Sequence, residues 1–268
     1  MIIVPMFIYS LPTIVYSLSD NGYRLHIKEL LFISHSQYWY MRTYIGLFLL
    51  SPLINKYLDT CSKRSRFALI VSLLFIATWC GITYGDPSLY AGKNIINFIL
   101  IYVIGDTYRL YNYQIRQISI RIILPAYLFL NILLVGTFAI SSNSSLSQTI
   151  YHISYQYCSP ILLINSILVF FIFTKISFTS SVINYAAKSV LATYLIHCNN
   201  VVFSTVIAPT VVILFNEGNT FLNLLELLML TITIFIACII VDKLFTPVWI
   251  LTEKTATIID KKMKIEYR

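Results

Sequence analysis

Residues 222–246 read LNLLELLMLTITIFIACIIVDKLFT, with no charged residue between Glu226 and Asp242. An α-helix rises about 1.5 Å per residue, so about 20 mainly apolar residues cross the hydrocarbon core of a bilayer. This stretch is long enough, and its apolar residues fall on every face rather than on one stripe, as a helix surrounded by lipid requires. The same reading, carried outward toward the N-terminus, finds further segments at 1–18, 38–55, 66–84, 94–110, 118–140, 158–174 and 188–212. The last of these is the least hydrophobic. The whole chain agrees: of 268 residues, 58% are hydrophobic and 11% charged, and mean hydropathy is +0.78. A soluble domain carries about 25% charged residues. The expected fold is therefore all-α, a polytopic transmembrane helix bundle of about eight spans. One membrane domain without internal repeats is expected over residues 1–250, followed by a basic tail at 251–268. The first segment opens at Met1 with neither a basic n-region nor a small-residue cleavage site, so a span is expected there rather than a signal peptide.

The charges fix an expected topology. The net charge is +8, and it sits in short connections between apolar runs rather than on one polar face, so no nucleic-acid partner is expected. Lys56, Lys63, Arg64 and Arg66 lie in one connection; Arg109, Arg116 and Arg121 in a second; Lys175 and Lys188 in a third. Lys243, Lys254, Lys261, Lys262, Lys264 and Arg268 lie at the C-terminal end. The intervening connections hold only Arg24, Lys28, Arg42 and Lys93, and residues 141–157 hold no charge. The positive-inside rule puts the basic group in the cytoplasm, and eight spans then leave both termini there. The tail is expected to be solvated, with an anionic leaflet as its alternative surface.

Several chemistries are set aside at this level. Cys61, Cys80, Cys158, Cys198 and Cys238 are scattered, with no CxxC or other ligand spacing, so no metal site and no disulfide framework is expected. GxSxG, Walker A, GxGxxG and HExxH are all missing, which excludes the common soluble hydrolase, nucleotide-binding and zinc-peptidase designs. The remaining candidates are polar groups inside spans, which are costly in lipid and hence functional by default. His197 lies in the seventh segment, in Tyr194-Leu195-Ile196-His197-Cys198-Asn199-Asn200. It can accept a proton from a hydroxyl, or pack through a hydrogen bond to its own helix. Asn199 and Asn200 beside it mark a wet cavity. Arg42 follows the belt-like aromatics Tyr38-Trp39-Tyr40, and either snorkels outward or binds a carboxylate, phosphate or carbonyl oxygen. Glu226 sits near the outer end of the last segment. Asp106 and Arg109 form an i,i+3 pair at an inner end, and Ser51-Pro52 is expected to bend the second segment.

Residues 38–56 carry a resemblance. Tyr38-Trp39-Tyr40, Tyr44, Gly46-Leu47, Leu49-Leu50-Ser51-Pro52 and Asn55 stand at the spacing of a segment in the membrane acyltransferase-3 family, the bacterial sugar O-acetyltransferases. Tyr194-Leu195-Ile196-His197 is similar to that family's motif near its C-terminus, and Ser159-Pro160 with the apolar run to Lys175 is a weaker third match. The resemblance covers roughly residues 1–250 in order and spacing. It implies an enzyme with both termini in the cytoplasm of a bacterial inner membrane. It further implies acetyl-CoA, or another acyl-CoA, as donor substrate with no bound cofactor. The acceptor would be a hydroxyl of a cell-surface glycan or its lipid-linked precursor, and membrane lipids would surround the chain. The family has about ten spans, and its Arg and His of the first span find no counterpart here; His26 and His35 do not fit that pattern. The expectation is a chain lacking two spans, with a divergent form of altered activity as the alternative. Substrate-binding candidates are accordingly Trp39, Arg42, His197 and Asn200, with the catalytic residue unassigned. A polysaccharide flippase or small-molecule transporter, a glycan polymerase and an inactive acyltransferase fragment are the competing readings.

Overall fold

The computed structural model describes residues 3–19, 38–83, 90–215 and 220–266, and every regular element among them is helical. The connection 20–37, with Arg24, His26, Lys28 and His35, lies outside the described residues. The chain packs as two compact units, residues 40–178 and residues 1–39 with 179–268.

Both units are built inside out relative to a soluble protein. Phe48, Phe67, Ile132, Phe173, Phe221 and Leu244 are each at least 65% exposed, while Ser10, Asn97, Asn199 and Asp242 are buried. Lipid solvates apolar side chains but offers polar groups no partner, so the polar groups turn inward.

Residues 40–178 hold most of the helix Trp39–Thr60 and six further helices. Labelled in chain order from α1, Ile3–Ser19, these are α2, Trp39–Thr60; α3, Lys63–Thr78; α4, Ile95–Leu110; α5, Asn112–Gln117; α6, Ile120–Ala139; α7, Ser145–Ser154; and α8, Pro160–Lys175. Helix α2 continues through Pro52. Proline lacks the N–H that would bond the carbonyl four residues back, and the Ser51 hydroxyl donates to that carbonyl, Phe48 O, at 2.8 Å. Helix α3 starts at Ser62, whose side chain accepts from Ser65 N, and ends in a π-helical turn, Trp79–Thr83. It packs along α4 around Ala77, Leu100 and Cys158, flanked by Leu73, Leu74, Ile104 and Leu163. Helix α6 packs along α8, and Asn131 Nδ2 donates to Asn165 Oδ1 at 3.2 Å between them.

The contacts within this unit group its connections by charge. At one end Arg66 pairs with Asp106, Lys63 lies over the Tyr111 ring, and Lys175 Nζ donates to Arg116 O. At the other end Tyr157 N donates to Ala91 O at 2.9 Å, and Thr78 Oγ1 to Cys158 O at 3.3 Å. The strongly basic connections thus share one end of the unit, as their charges predict. Gly92 makes the second junction tight. Its φ is +79°, and a Cβ there would come within 2.5 Å of Cys158 N.

The other unit comprises α1 and, from residue 179 onward, α9, Ser181–Ala187; α10, Val190–His197; α11, Asn200–Val202, continued by a π-helical stretch Phe203–Ile207; α12, Ala208–Phe215; α13, Thr220–Leu244; and α14, Thr246–Glu266. Helix α10 packs against α1 and α13. The C-terminal tail, read as solvated, is helical through Glu266.

All eight expected spans fall on helices, but their number as independent spans does not follow. Among the described residues, Lys63–Ile82, Ile120–Ala139 and Phe221–Leu244 are long and apolar enough to cross a membrane. A fourth arises if Val190–His197 and Asn200–Leu214, bent by 63° at their junction, count as one. The rest fall short for two reasons. Helices of 16 residues, such as α4 and α8, reach only about 24 Å against a core of about 30 Å. Helix α2 has 22 residues but carries Arg42, Asn55 and Lys56.

Candidate functional site

The polar groups of residues 1–39 and 179–268 converge on the break between α10 and α11. Helix α10 stops at His197, and Asn199 takes an extended conformation, φ −64° and ψ 127°, as the N-cap of the next segment. Asparagine is a favoured N-cap because its side-chain oxygen accepts the first free N–H groups of a helix. Here Asn199 Oδ1 accepts from Val201 N at 3.0 Å and Val202 N at 3.4 Å. The same oxygen accepts from Thr13 Oγ1 at 3.1 Å. Asn199 Nδ2 donates to Tyr9 O at 3.0 Å and meets the Tyr38 hydroxyl at 3.4 Å. The Tyr38 hydroxyl in turn donates to Leu195 O at 3.0 Å, one of the carbonyls left free where α10 ends. Asn199 and Tyr38 are fully buried. One amide therefore holds the broken helix, α1 and Tyr38 together.

His197 sits on the last turn before the break, half-buried. Its Nδ1 lies 2.6 Å from Thr193 O. A carbonyl only accepts, so Nδ1 carries the proton and Nε2 keeps its lone pair. Nε2 lies 3.3 Å from the Cys198 Sγ. A thiol is a weak donor, so this hydrogen bond is easily exchanged for a stronger one. The Tyr194 ring stands edge-on to the imidazole at 6.1 Å and holds its plane. The Ser189 hydroxyl, on the turn that enters α10, is buried without a hydrogen-bond partner among the described residues.

A second polar centre lies in the same unit. Asp242, on α13, accepts from the Tyr9 hydroxyl at 2.9 Å and from Trp249 Nε1 at 3.1 Å. The Tyr9 ring contacts Phe245 and Trp249 at 5.9 and 6.0 Å. A carboxylate in an apolar setting is expensive unless donors surround it; these two phenol and indole donors meet that need. Next to it, Lys243 Nζ stands 4.2 Å from the centre of the Tyr185 ring.

The four substrate-binding candidates separate. His197 borders the break. Asn200 opens the segment beyond it but is exposed, and its neighbour Asn199 carries the inward bonds. Trp39 is half-buried at the start of α2, and the neighbouring Tyr38 makes the links to Leu195 and Asn199. Arg42, one turn further along α2, is exposed and belongs to the other unit. There Asp106 accepts from Arg109 Nη2 at 2.8 Å, the pair expected from the i,i+3 spacing, and Arg66 adds a second arm while donating to Leu58 O at 2.6 Å. Arg66 is 6% exposed, so this cluster is an internal tie rather than a free cation.

Sequence reasoning missed Asn199 as the organiser, and it missed Tyr9 and Asp242. Two signals pointed to them. Asparagine at the end of an apolar run is a capping residue, and Asp242 is an ionisable group within the last apolar segment. Among the described residues, no three His, Cys, Asp or Glu side chains cluster as metal ligands would.

Comparison with known protein families finds a match to a family model described as an acyltransferase domain, over residues 1–243. The match includes both the 38–56 segment and the Tyr194–Asn200 break. No curated protein and no solved structure matches.

Proposed function

Because the chain belongs to the acyltransferase-3 family, a membrane enzyme that transfers acyl groups, we propose that it moves an acetyl group from acetyl-CoA to a hydroxyl of a cell-surface glycan or its lipid-linked precursor. The proposed setting is a bacterial inner membrane, with the basic connections and both termini in the cytoplasm. The observation that best supports this reading is His197 at the break between α10 and α11. Its Nδ1 proton is committed to Thr193 O, and its Nε2 lone pair meets the Cys198 thiol, a weak donor.

Transfer to an alcohol needs a base at the hydroxyl. The hydroxyl oxygen attacks the thioester carbonyl, Nε2 takes the hydroxyl proton, the carbon–sulfur bond breaks, and the proton passes to the CoA sulfur. The fixed Nδ1–H···O=C bond orients the ring and stabilises the imidazolium between the two proton transfers. Trp39 and Asn200 are proposed to contact substrate near the break. Arg42, exposed on α2, is proposed to meet a phosphate or carbonyl oxygen. The cytoplasmic lysines and arginines attract the CoA phosphates.

The experiment is acyl transfer in proteoliposomes, with radiolabelled acetyl-CoA and the source cell's own surface glycan. Base-labile label is expected on glycan hydroxyls, and His197→Ala is expected to lower its rate by about 10²–10⁴-fold. Full activity in that variant removes His197 from the mechanism. The helix break favours one second reading, since transporters also use discontinuous helices. Glycan movement across the bilayer without acetyl-CoA, and with no label transferred, would support it.

A further inference from the structure

In residues 40–178, the turn between α6 and α7 borders an open cavity of about 530 Å³. We propose that this cavity binds a neutral saccharide chain, the acceptor of the reaction; the proposal rests on the acyltransferase reading above. Its volume falls within the range of small-molecule sites, about 300–1,000 Å³. The walls divide into groups already committed and groups that are not. Ser141 donates to Phe138 O at 2.7 Å. Ser144 and Ser147 form a reciprocal capping box, with bonds of 3.0 and 3.1 Å, that fixes the start of α7. The side chains of Ser142, Ser145, Gln148, Tyr151 and His152 line the cavity and make no hydrogen bond to any described residue. The site is therefore a rigid turn that presents unused hydroxyl, amide and imidazole groups, each able to donate and accept.

The chemistry of the lining selects the ligand. Residues 141–157 carry no lysine, arginine, aspartate or glutamate. A phosphate, a nucleotide or CoA would demand cations, and an ammonium ligand would demand carboxylates. A ligand made of neutral hydroxyls matches groups that both donate and accept. Tyr151 supplies an apolar face for a sugar ring. It is braced by Phe138 at 5.6 Å, Tyr155 at 4.9 Å and His152 at 5.3 Å, so little further freedom is lost when a ligand packs on it.

Position agrees with chemistry. Helix α6 runs 20 residues from the basic connection at Arg121 to this turn, about 30 Å at 1.5 Å per residue. The cavity thus lies one bilayer core away from the cations that suit an acyl-CoA, at the end that the charge pattern assigns to the cell exterior. Donor and acceptor would approach from opposite faces.

The test uses the full chain in lipid nanodiscs and the neutral oligosaccharide fraction released from the source cell's envelope. Saturation-transfer NMR, recorded without acyl-CoA, is expected to show contact with sugar ring protons. The signal should fall at least about fivefold in Tyr151→Ala and in Gln148→Ala, which is exposed and safe for folding. Parallel transfer assays should show KM for the glycan raised about fivefold to tenfold in Gln148→Ala with kcat unchanged. No saccharide signal in the unaltered chain, signals in both variants as strong as in the unaltered chain, or stronger contact with CoA at this turn would overturn the proposal. Transfer that proceeds with an unchanged KM in the variants would reject the saccharide site and leave the acyltransferase reading standing. Saccharide contact that depends on Tyr151 and Gln148, in a chain with no transfer at all, would reject the acyltransferase reading and keep the saccharide site.

Discussion

The two units treat their buried polar groups differently. In residues 40–178 they are mostly matched. Asp106 is held between Arg66 and Arg109, and Asn131 faces Asn165; among the described residues the Asn97 and Asn112 side-chain oxygens are exceptions. In residues 1–39 and 179–268 they gather at a helix break and stop short of full matching. Among the described residues the Ser189 hydroxyl and Glu226 Oε2 are buried unpaired, and His197 Nε2 meets the Cys198 thiol. In a low-dielectric interior a saturated polar network stiffens the fold, whereas an unsaturated one retains hydrogen bonds to give to a substrate. Among the described residues each unit keeps two unmatched buried atoms; what sets residues 1–39 and 179–268 apart is that one of theirs, the Ser189 hydroxyl, lies on the turn that enters the broken helix.

The contrast can be broken by substitution, and the largest effect is expected in the matched unit. Arg66→Met leaves the half-buried Asp106 with a single, exposed partner and the Leu58 carbonyl without its Arg66 bond, and should lower the stability of the folded chain by about 2–3 kcal/mol. The double variant Arg66→Met/Asp106→Leu should recover most of that loss. Denaturant unfolding in micelles measures both, and an unchanged midpoint in the single variant would end the claim that this pair holds the unit together. Asn199→Leu removes the cap of α11 and the links to Tyr9, Thr13 and Tyr38, for a loss of about 2 kcal/mol. Acyl transfer per folded molecule should fall with it, because His197 is two residues away; Arg66→Met should leave that specific activity intact. Equal specific activities would erase the distinction between the units. Gly92→Ala should cost about 1–2 kcal/mol, since the backbone there is left-handed and the new methyl meets Cys158. The smallest effect is Asn131→Leu, about 0.6 kcal/mol, the usual worth of one hydrogen bond between helices in a membrane. A loss several times larger would mean that this amide pair does more than join α6 to α8.

Much of the fold was legible because lipid imposes simple rules. Apolar length located all eight helical segments, and the alternation of basic connections foretold which ends of residues 40–178 would meet, as the contacts of Arg66 with Asp106 and of Lys175 with Arg116 O demonstrate. The break inside 188–212 was less legible. Composition averages over the segment, while the interruption is set by one residue, Asn199, whose side chain replaces backbone partners. The pairing of Tyr9 with Asp242 joins residues 233 positions apart, and no local pattern encodes it. Arg42 and Asn200 stood out as polar residues in apolar runs, yet both are exposed; residue type marks a candidate but does not say which way a helix is turned.

The unequal lengths of the helices bear on how the chain is made. Segments such as Phe221–Leu244 are long and apolar enough to cross a membrane, whereas charged residues within a helix make its transfer to lipid costly. The short helices α4 and α8 and the polar helix α2 must be retained until a neighbour covers them. The pairings α3 with α4 and α6 with α8 each set a helix long and apolar enough to cross a membrane beside one that is not, so each marginal helix has a self-sufficient neighbour to cover it in the bilayer.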